Sequence, residues 1–230
     1  IFIIILFLGF IFFGFKLAQK FFPGHQSTPL VSSPAPDELI SQSNYFLFQV
    51  NDFSQKHPQL IAIWMVIDAS TPSGEEIFFI PLYPSITDVE KNEQIASIFS
   101  LNKEDTVVSS AFRRLRRLFN LEIDGYFVTD NTGFLNFASI AEVEQVEIFA
   151  ESPQSIEAAE HVQASGNVFF TRVCTLLTSG ASNAFFSQLD LSVLMPASLT
   201  SNIPGEVIQP LFDEINQTAQ IASCRIILPQ

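Results

Sequence analysis

The stretch "FRRLRRLF" places Arg113, Arg114, Arg116 and Arg117 almost side by side in a chain that is otherwise acidic. Guanidinium groups so close together suit anionic oxygens, whether on lipid headgroups or on a polyanionic polymer. The plainer alternative is a solvated helix face whose arginines pair with nearby acids. A second candidate is "EIFFIPLYPSI" (76–86), where an apolar run enters Pro81-Leu82-Tyr83-Pro84-Ser85. The loop just past a buried strand is where α/β proteins tend to place ligands and catalytic groups. Here it offers a leucine, a tyrosine and a serine, with no charge until Asp88. Ser85 has no His or Lys near it in sequence and no G-x-S-x-G around it, so nucleophilic catalysis has no support.

Metal chemistry is equally thin. His25, His57 and His161 are scattered, and neither Cys174 nor Cys224 has a close ligand partner. Glu142, Glu144, Glu147 and Glu151 alternate in a way that reads as one wet face rather than a cation site. Two cysteines are too few for a disulfide framework. Two buried thiols is the preferred reading, with a single disulfide the alternative for a domain outside the cell.

The 230 residues carry a formal charge of −13, which argues against nucleic acid as a partner because its phosphates would repel such a surface. "IFIIILFLGFIFFGF" is apolar up to Lys16. Since a complete span needs about 20 apolar residues and the chain opens on Ile, residues 1–22 are expected to be a transmembrane signal-anchor shortened at its start. A cleaved signal peptide is the alternative, although "KLAQKFFPG" makes a poor cleavage site. Residues 23–43 have the Pro/Ser/Thr composition of a linker, leaving 44–230 as one domain with a sizeable core. The expected location is therefore a cell membrane, with a single pass.

The periodicities place strands over "NYFLFQV" and "LIAIWMVID", the second covered on both faces, then a "TPSGEE" turn into "IFFIPL" as an antiparallel hairpin. Residues 106–119 carry apolar positions at helical spacing. "EIDGYFVTD" returns to strand, and Asn131 or Thr132 could cap a helix over "GFLNFASIAEV". "QVEIFA" reads as a strand, "SIEAAEHVQ" as a short helix begun by Ser155, and "GNVFFTRVCTLLTSG" and "ASNAFFSQLDLSVLM" as two more with Gly180 at the break. A helix entered through Pro204 and a final strand "IASCRIILP" complete the set. Alternation of this kind predicts an α/β domain with a mixed central β-sheet flanked by helices, preceded by one transmembrane helix.

The order of these segments across residues 44–228 resembles the LytR-CpsA-Psr family of cell-envelope proteins. "NYFLFQVNDFS" is similar to the family's opening strand and Gly-x-Asp loop, "LIAIWMVIDAS" to its second strand, and "EIFFIPLYPS" to the strand ending in I-P-R-D. "LFNLEIDGYFVTDNTGFLNFASI" is the closest segment, and "QSIEAAEHVQASGNVFFTRVCTLL" resembles the later helix with its arginines. The resemblance implies phosphoryl transfer of a glycopolymer from a polyprenyl-pyrophosphate carrier to peptidoglycan. Arginines would neutralise the pyrophosphate, carboxylates would hold a divalent cation such as Mg2+, and an apolar groove would take the prenyl tail.

Carried over residue by residue, the charged positions are mostly gone. The arginine and aspartate of I-P-R-D fall on Leu82 and Tyr83, and an earlier pair falls near His57 and Gln59. Of two later arginines the first is Phe169 and the second is kept as Arg172, followed by Val173 where a glutamine is expected. The family's Gly-Gly becomes Glu144-Gln145, Asp52 stands one place from the Gly-x-Asp position, and Asp130 matches an acid of structural role. Ligand-binding positions by this resemblance are thus Asp52, Leu82, Tyr83, Phe169 and Arg172, with the arginines of 113–117 as a possible anionic-surface contact. Phosphoryl transfer needs cations for its developing charge. The expectation is a membrane-anchored domain facing outside the cytoplasm. It would bind or scaffold a polyprenyl-linked glycan or a wall protein, without transferase chemistry and without a cofactor. The alternatives are an active Mg2+-dependent phosphotransferase and an unrelated anchored α/β domain.

Overall fold

A computed structural model describes residues 40–179, 194–204, 208 and 221–228. All the described residues belong to one compact unit, 34–230. The apolar segment 1–22 lies outside the described residues, as do most of the linker, residues 181–193 of the helix expected over 181–195 and most of the one expected after Pro204. Of that last helix only Ile208 is described, and it is buried.

Three strands begin the domain. β1 (Ser41–Val50), β2 (Leu60–Thr71) and β3 (Gly74–Tyr83) form an antiparallel meander. β1 starts three residues before the run that the sequence picks out. The β2–β3 turn is tight enough to set Gly74 at φ 123°, a conformation that side-chain-bearing residues rarely adopt. After α1 (Val89–Ile98) and α2 (Ser109–Phe119), β4 (Gly125–Thr129) pairs parallel to β1. α3 (Asn131–Ile140) and α4 (Ile156–Thr178) follow, then β5 (Leu199–Ser201) and β6 (Ile221–Ile226). The sheet has six strands in the order β5-β4-β1-β2-β3-β6, with β6 parallel to β3. It is mixed, as the alternation of elements requires.

The pleat divides the aromatic residues between two helical layers. Phe46 and Phe48 of β1 face α1 and α2: the Phe46 ring lies 6.1 Å from Phe112 and 6.0 Å from Phe119, and Phe48 lies 5.5 Å from Phe99. On the other face Trp64 and Phe79 meet Phe170 of α4 at 4.5 and 4.3 Å. Each such buried aromatic contributes about 2–3 kcal/mol through removal from water. Phe46 and Phe48 of β1, Phe79 of β3 and Phe170 of α4 are therefore core on both faces of the sheet.

Several local expectations differ from the fold. α4 is one 23-residue helix, not two. Gly166 does not break it, because the missing side chain makes room for the Trp64 indole, which a Cβ there would overlap. Ser155 does cap it, accepting from the Ala158 amide at 3.1 Å. The cap of α3 is Asp130, one residue before the expected pair, accepting from the Gly133 amide. "QVEIFA" is not a strand. Two of its carbonyls accept from side chains, Phe149 from Asn131 and Ala150 from Asn51, rather than from a neighbouring strand. Cys174 and Cys224 are joined as a disulfide that ties α4 to β6, in place of two thiols. α1 has too few apolar positions to announce itself, since one of its buried residues is Asn92.

Candidate functional site

β1, β3, β4 and β6 all run the same way, so their carboxyl ends share one edge of the sheet. Open α/β sheets bind ligands at that edge. Val50, Tyr83 and Thr129 mark it here, and the loops that leave them carry the candidate residues.

The loop after β3 is filled. Tyr83 is only 1% exposed, and its hydroxyl is hydrogen-bonded to Ser152. Burial pushes its phenol up to about 12, against which the Ser152 bond works only partly, so the group is neutral at pH 7. The Pro84 carbonyl accepts from Gln163 Nε2 of α4 at 2.6 Å. Ser85 is held at both ends by the buried Asn92, whose Oδ1 accepts from the Ser85 amide at 2.6 Å and whose Nδ2 donates to its carbonyl at 2.8 Å. Leu82 is half-buried between these anchors. Three backbone groups of this loop, the Pro84 carbonyl and the Ser85 amide and carbonyl, are thus taken by amide side chains.

From Tyr83 the polar contacts continue to the other strands. The Ser152 hydroxyl donates to the Leu60 carbonyl at 2.6 Å, and the Ser152 amide donates to Gln59 Oε1 at 3.0 Å. Gln59 in turn donates its amide to Asn51 Oδ1 at 2.9 Å. Asn51 is buried, accepts also from the Asp52 amide and donates to the Ala150 carbonyl at 2.7 Å. Asp52 closes an Asx turn, one oxygen accepting from the Ser54 amide and the other from its hydroxyl, at 2.7 and 2.9 Å. Asp130 lies close enough to Asp52 to feel its charge. Burial is the main cause that raises the Asp130 pKa, Asp52 adds to it, and the amides of Gly133, Phe53 and Thr132 oppose it.

These two acids are neighbours, and Mg2+ is the cation that the transferase alternative would need. Their oxygens already accept N–H and O–H donors, a set that fits capped turns rather than a divalent cation. No group of three or more potential metal ligands occurs among the described residues. Nor is any guanidinium or ammonium group among them bonded to Asp52, Asp130, Tyr83 or Ser85.

Arg172 is elsewhere and occupied. Its Nε donates to the Ala141 carbonyl at 2.9 Å and its terminal nitrogen bonds Glu142 Oε2 at 2.7 Å. It thereby closes the end of α3, where Glu142 adopts φ 56°. Gln163, the α4 residue that reaches the loop, lies nine residues earlier, about 14 Å along the helix. Phe169 is buried against Phe134 at 4.9 Å and Phe170 at 5.0 Å. Val173 is buried, while His57, Glu144 and Gln145 are exposed. Glu147 pairs with His161 at 3.5 Å on the surface.

The four arginines of α2 form a separate place. Arg113, Arg114 and Arg117 are exposed, and Arg116 is half-buried over the Phe112 ring at 5.9 Å. Pairing with nearby acids is absent among the described residues, where the ion pairs are those of Arg172 and His161. Sequence reasoning missed Asn51, Asn92, Ser152 and Gln163. Asn92 and Gln163 carried a signal, since each interrupts the buried face of a helix with an amide.

No protein-family model matches the chain, and no curated protein does. Among solved structures it is similar to TagT bound to LIIa-WTA, at 13% identity over 90% of this chain and 85% of that one, with a TM-score of 0.47. It is also similar to the transcriptional regulator yvhJ from Bacillus subtilis, at 11% identity over 82% of each chain with a TM-score of 0.46. For B. subtilis TagV the values are 10% identity, 83% and 85% coverage, and a TM-score of 0.44.

Proposed function

We propose that this chain is a membrane-anchored cell-envelope domain of LytR-CpsA-Psr type that binds or scaffolds, without phosphoryl-transfer chemistry. The order of segments over residues 44–228 supports the family reading. One observation carries the functional part: at the family's charged position in the loop after β3 stands Tyr83, buried, neutral and hydrogen-bonded to Ser152. A diphosphate placed there would meet no cation among the described residues to balance its charge, and the surviving Arg172 is committed to Ala141 and Glu142. The Cys174–Cys224 disulfide favours a domain outside the cytoplasm, where thiols oxidise and stay oxidised. The occupant of the site would be a polyprenyl-linked glycan held by its apolar part, or a wall protein.

The test is retention of a prenyl-pyrophosphate analogue by the full chain, beside the matching prenyl alcohol, with and without Mg2+. Equal retention of both, indifferent to Mg2+, is the expected result for binding through the tail alone. No retention of either leaves the protein-partner version. Clear preference for the pyrophosphate, strengthened by Mg2+, would favour the phosphotransferase alternative.

A further inference from the structure

The basic face of α2 is a strongly charged surface whose anionic partner the envelope-domain reading does not specify. α2 has no acidic residue, and none of its four arginines is ion-paired among the described residues. The face is also shaped. Arg113 and Arg116 line a groove together with Phe112, Tyr126 and Asn202, and the Arg116 guanidinium lies over the Phe112 ring at 5.9 Å. Cations beside aromatic rings are suited to the boundary between water and lipid headgroups.

The place of α2 in the domain narrows the occupant. Its last turn, with Arg116 and Arg117, ends at Phe119, packed 6.0 Å from Phe46. A few residues on, Asp124 donates its amide to the Asn44 carbonyl at 2.8 Å and accepts from the Asn44 amide at 2.7 Å. The basic end of α2 therefore flanks the start of β1, where the chain arrives from the linker and the apolar run of residues 1–15. We propose that the arginine face of α2 docks on the anionic phospholipid headgroups of the bilayer that holds that run. A tether keeps such headgroups at high effective concentration, so weak contacts through four arginines suffice. This rests on residues 1–22 being an anchor.

The full chain in lipid nanodiscs tests it. One set is phosphatidylcholine alone, and the other contains roughly one third phosphatidylglycerol, enough for an anionic surface. Phenylglyoxal modification of each arginine is followed by mass spectrometry, with the exposed Arg225 of β6 as internal reference. In the anionic discs, modification of the α2 arginines should slow roughly tenfold relative to Arg225, and salt at about 0.5 M should remove the protection. Equal rates in both discs would overturn the docking while leaving the anchor intact. Failure of the chain to enter either disc would overturn the anchor, and the docking with it. Protection by soluble heparin but not by phosphatidylglycerol would assign the face to a polyanionic polymer instead and overturn the lipid occupant.

Discussion

Arg172 and Glu142 meet at 2.7 Å across the junction of α4 with the end of α3. The same guanidinium donates to the Ala141 carbonyl at 2.9 Å, so it satisfies a helix-end group as well as a carboxylate. Glu142 is 77% exposed, and the ion pair itself should contribute little. Arg172→Ala should therefore destabilise the domain by about 1–2 kcal/mol, mostly through the lost carbonyl bond and packing. Glu142→Gln should cost less than about 0.5 kcal/mol. Urea unfolding of both variants checks this, and equal large losses would mean that the charge pair dominates.

Asp130 gives a pH dependence whose sign follows from its surroundings. Burial first, and then the Asp52 charge, raise its pKa in the folded domain above the ordinary carboxylate value. The folded state thus holds this proton more tightly than the unfolded chain. The stability that goes with it is complete below the unfolded pKa of about 4 and is lost as pH rises through the folded value. Asp130→Asn keeps an acceptor for the Gly133 amide but has no charge to desolvate. Its stability relative to the parent should improve between pH 3.5 and pH 7, while Asp130→Ala should lose about 1–2 kcal/mol at either pH. A relative stability of Asp130→Asn that worsens with pH would show that the ionised carboxylate is favoured in the fold.

Tyr83 should be slow to give up its proton. Of the three tyrosines, Tyr45 and Tyr126 are also raised by burial, but Tyr83 reaches about 12. The difference between parent and Tyr83→Phe in a phenolate absorbance titration should rise near pH 12. Tyr83→Phe should also cost about 1 kcal/mol of stability below pH 10 through the lost Ser152 bond. A difference step near pH 10 would place the phenol in contact with water, and a polar pocket around it would return as a possibility.

Much of the frame was legible because it is written in periodicity. The unbroken apolar run of β2, the Pro/Gly turn into β3 and the alternation of strand and helix fixed an α/β class and a hairpin that the sheet contains. What failed did so for local reasons. "SIEAAEHVQ" and "GNVFFTRVCTLLTSG" read as two helices, yet they are one, with Gly166 leaving room for the Trp64 indole. "QVEIFA" has strand composition, but Asn51 and Asn131 take the carbonyls that a neighbouring strand would need. Whether Cys174 and Cys224 meet depends on β6 lying beside α4, a long-range packing that spacing does not encode. The site was half legible. The neutral residues at 82 and 83 could be read directly, whereas the hydrogen-bonded chain from Tyr83 through Ser152, Gln59 and Asn51 required the fold.

A loop without cations cannot stabilise a departing phosphoryl group. Turnover by the full chain of a polyprenyl-pyrophosphate-linked glycan, with Mg2+ and a peptidoglycan acceptor, puts this to the test. Polyprenyl phosphate should be released at the rate of buffer alone, unchanged by Arg172→Ala. Release above that background, abolished by Arg172→Ala in a variant that still folds, would contradict it.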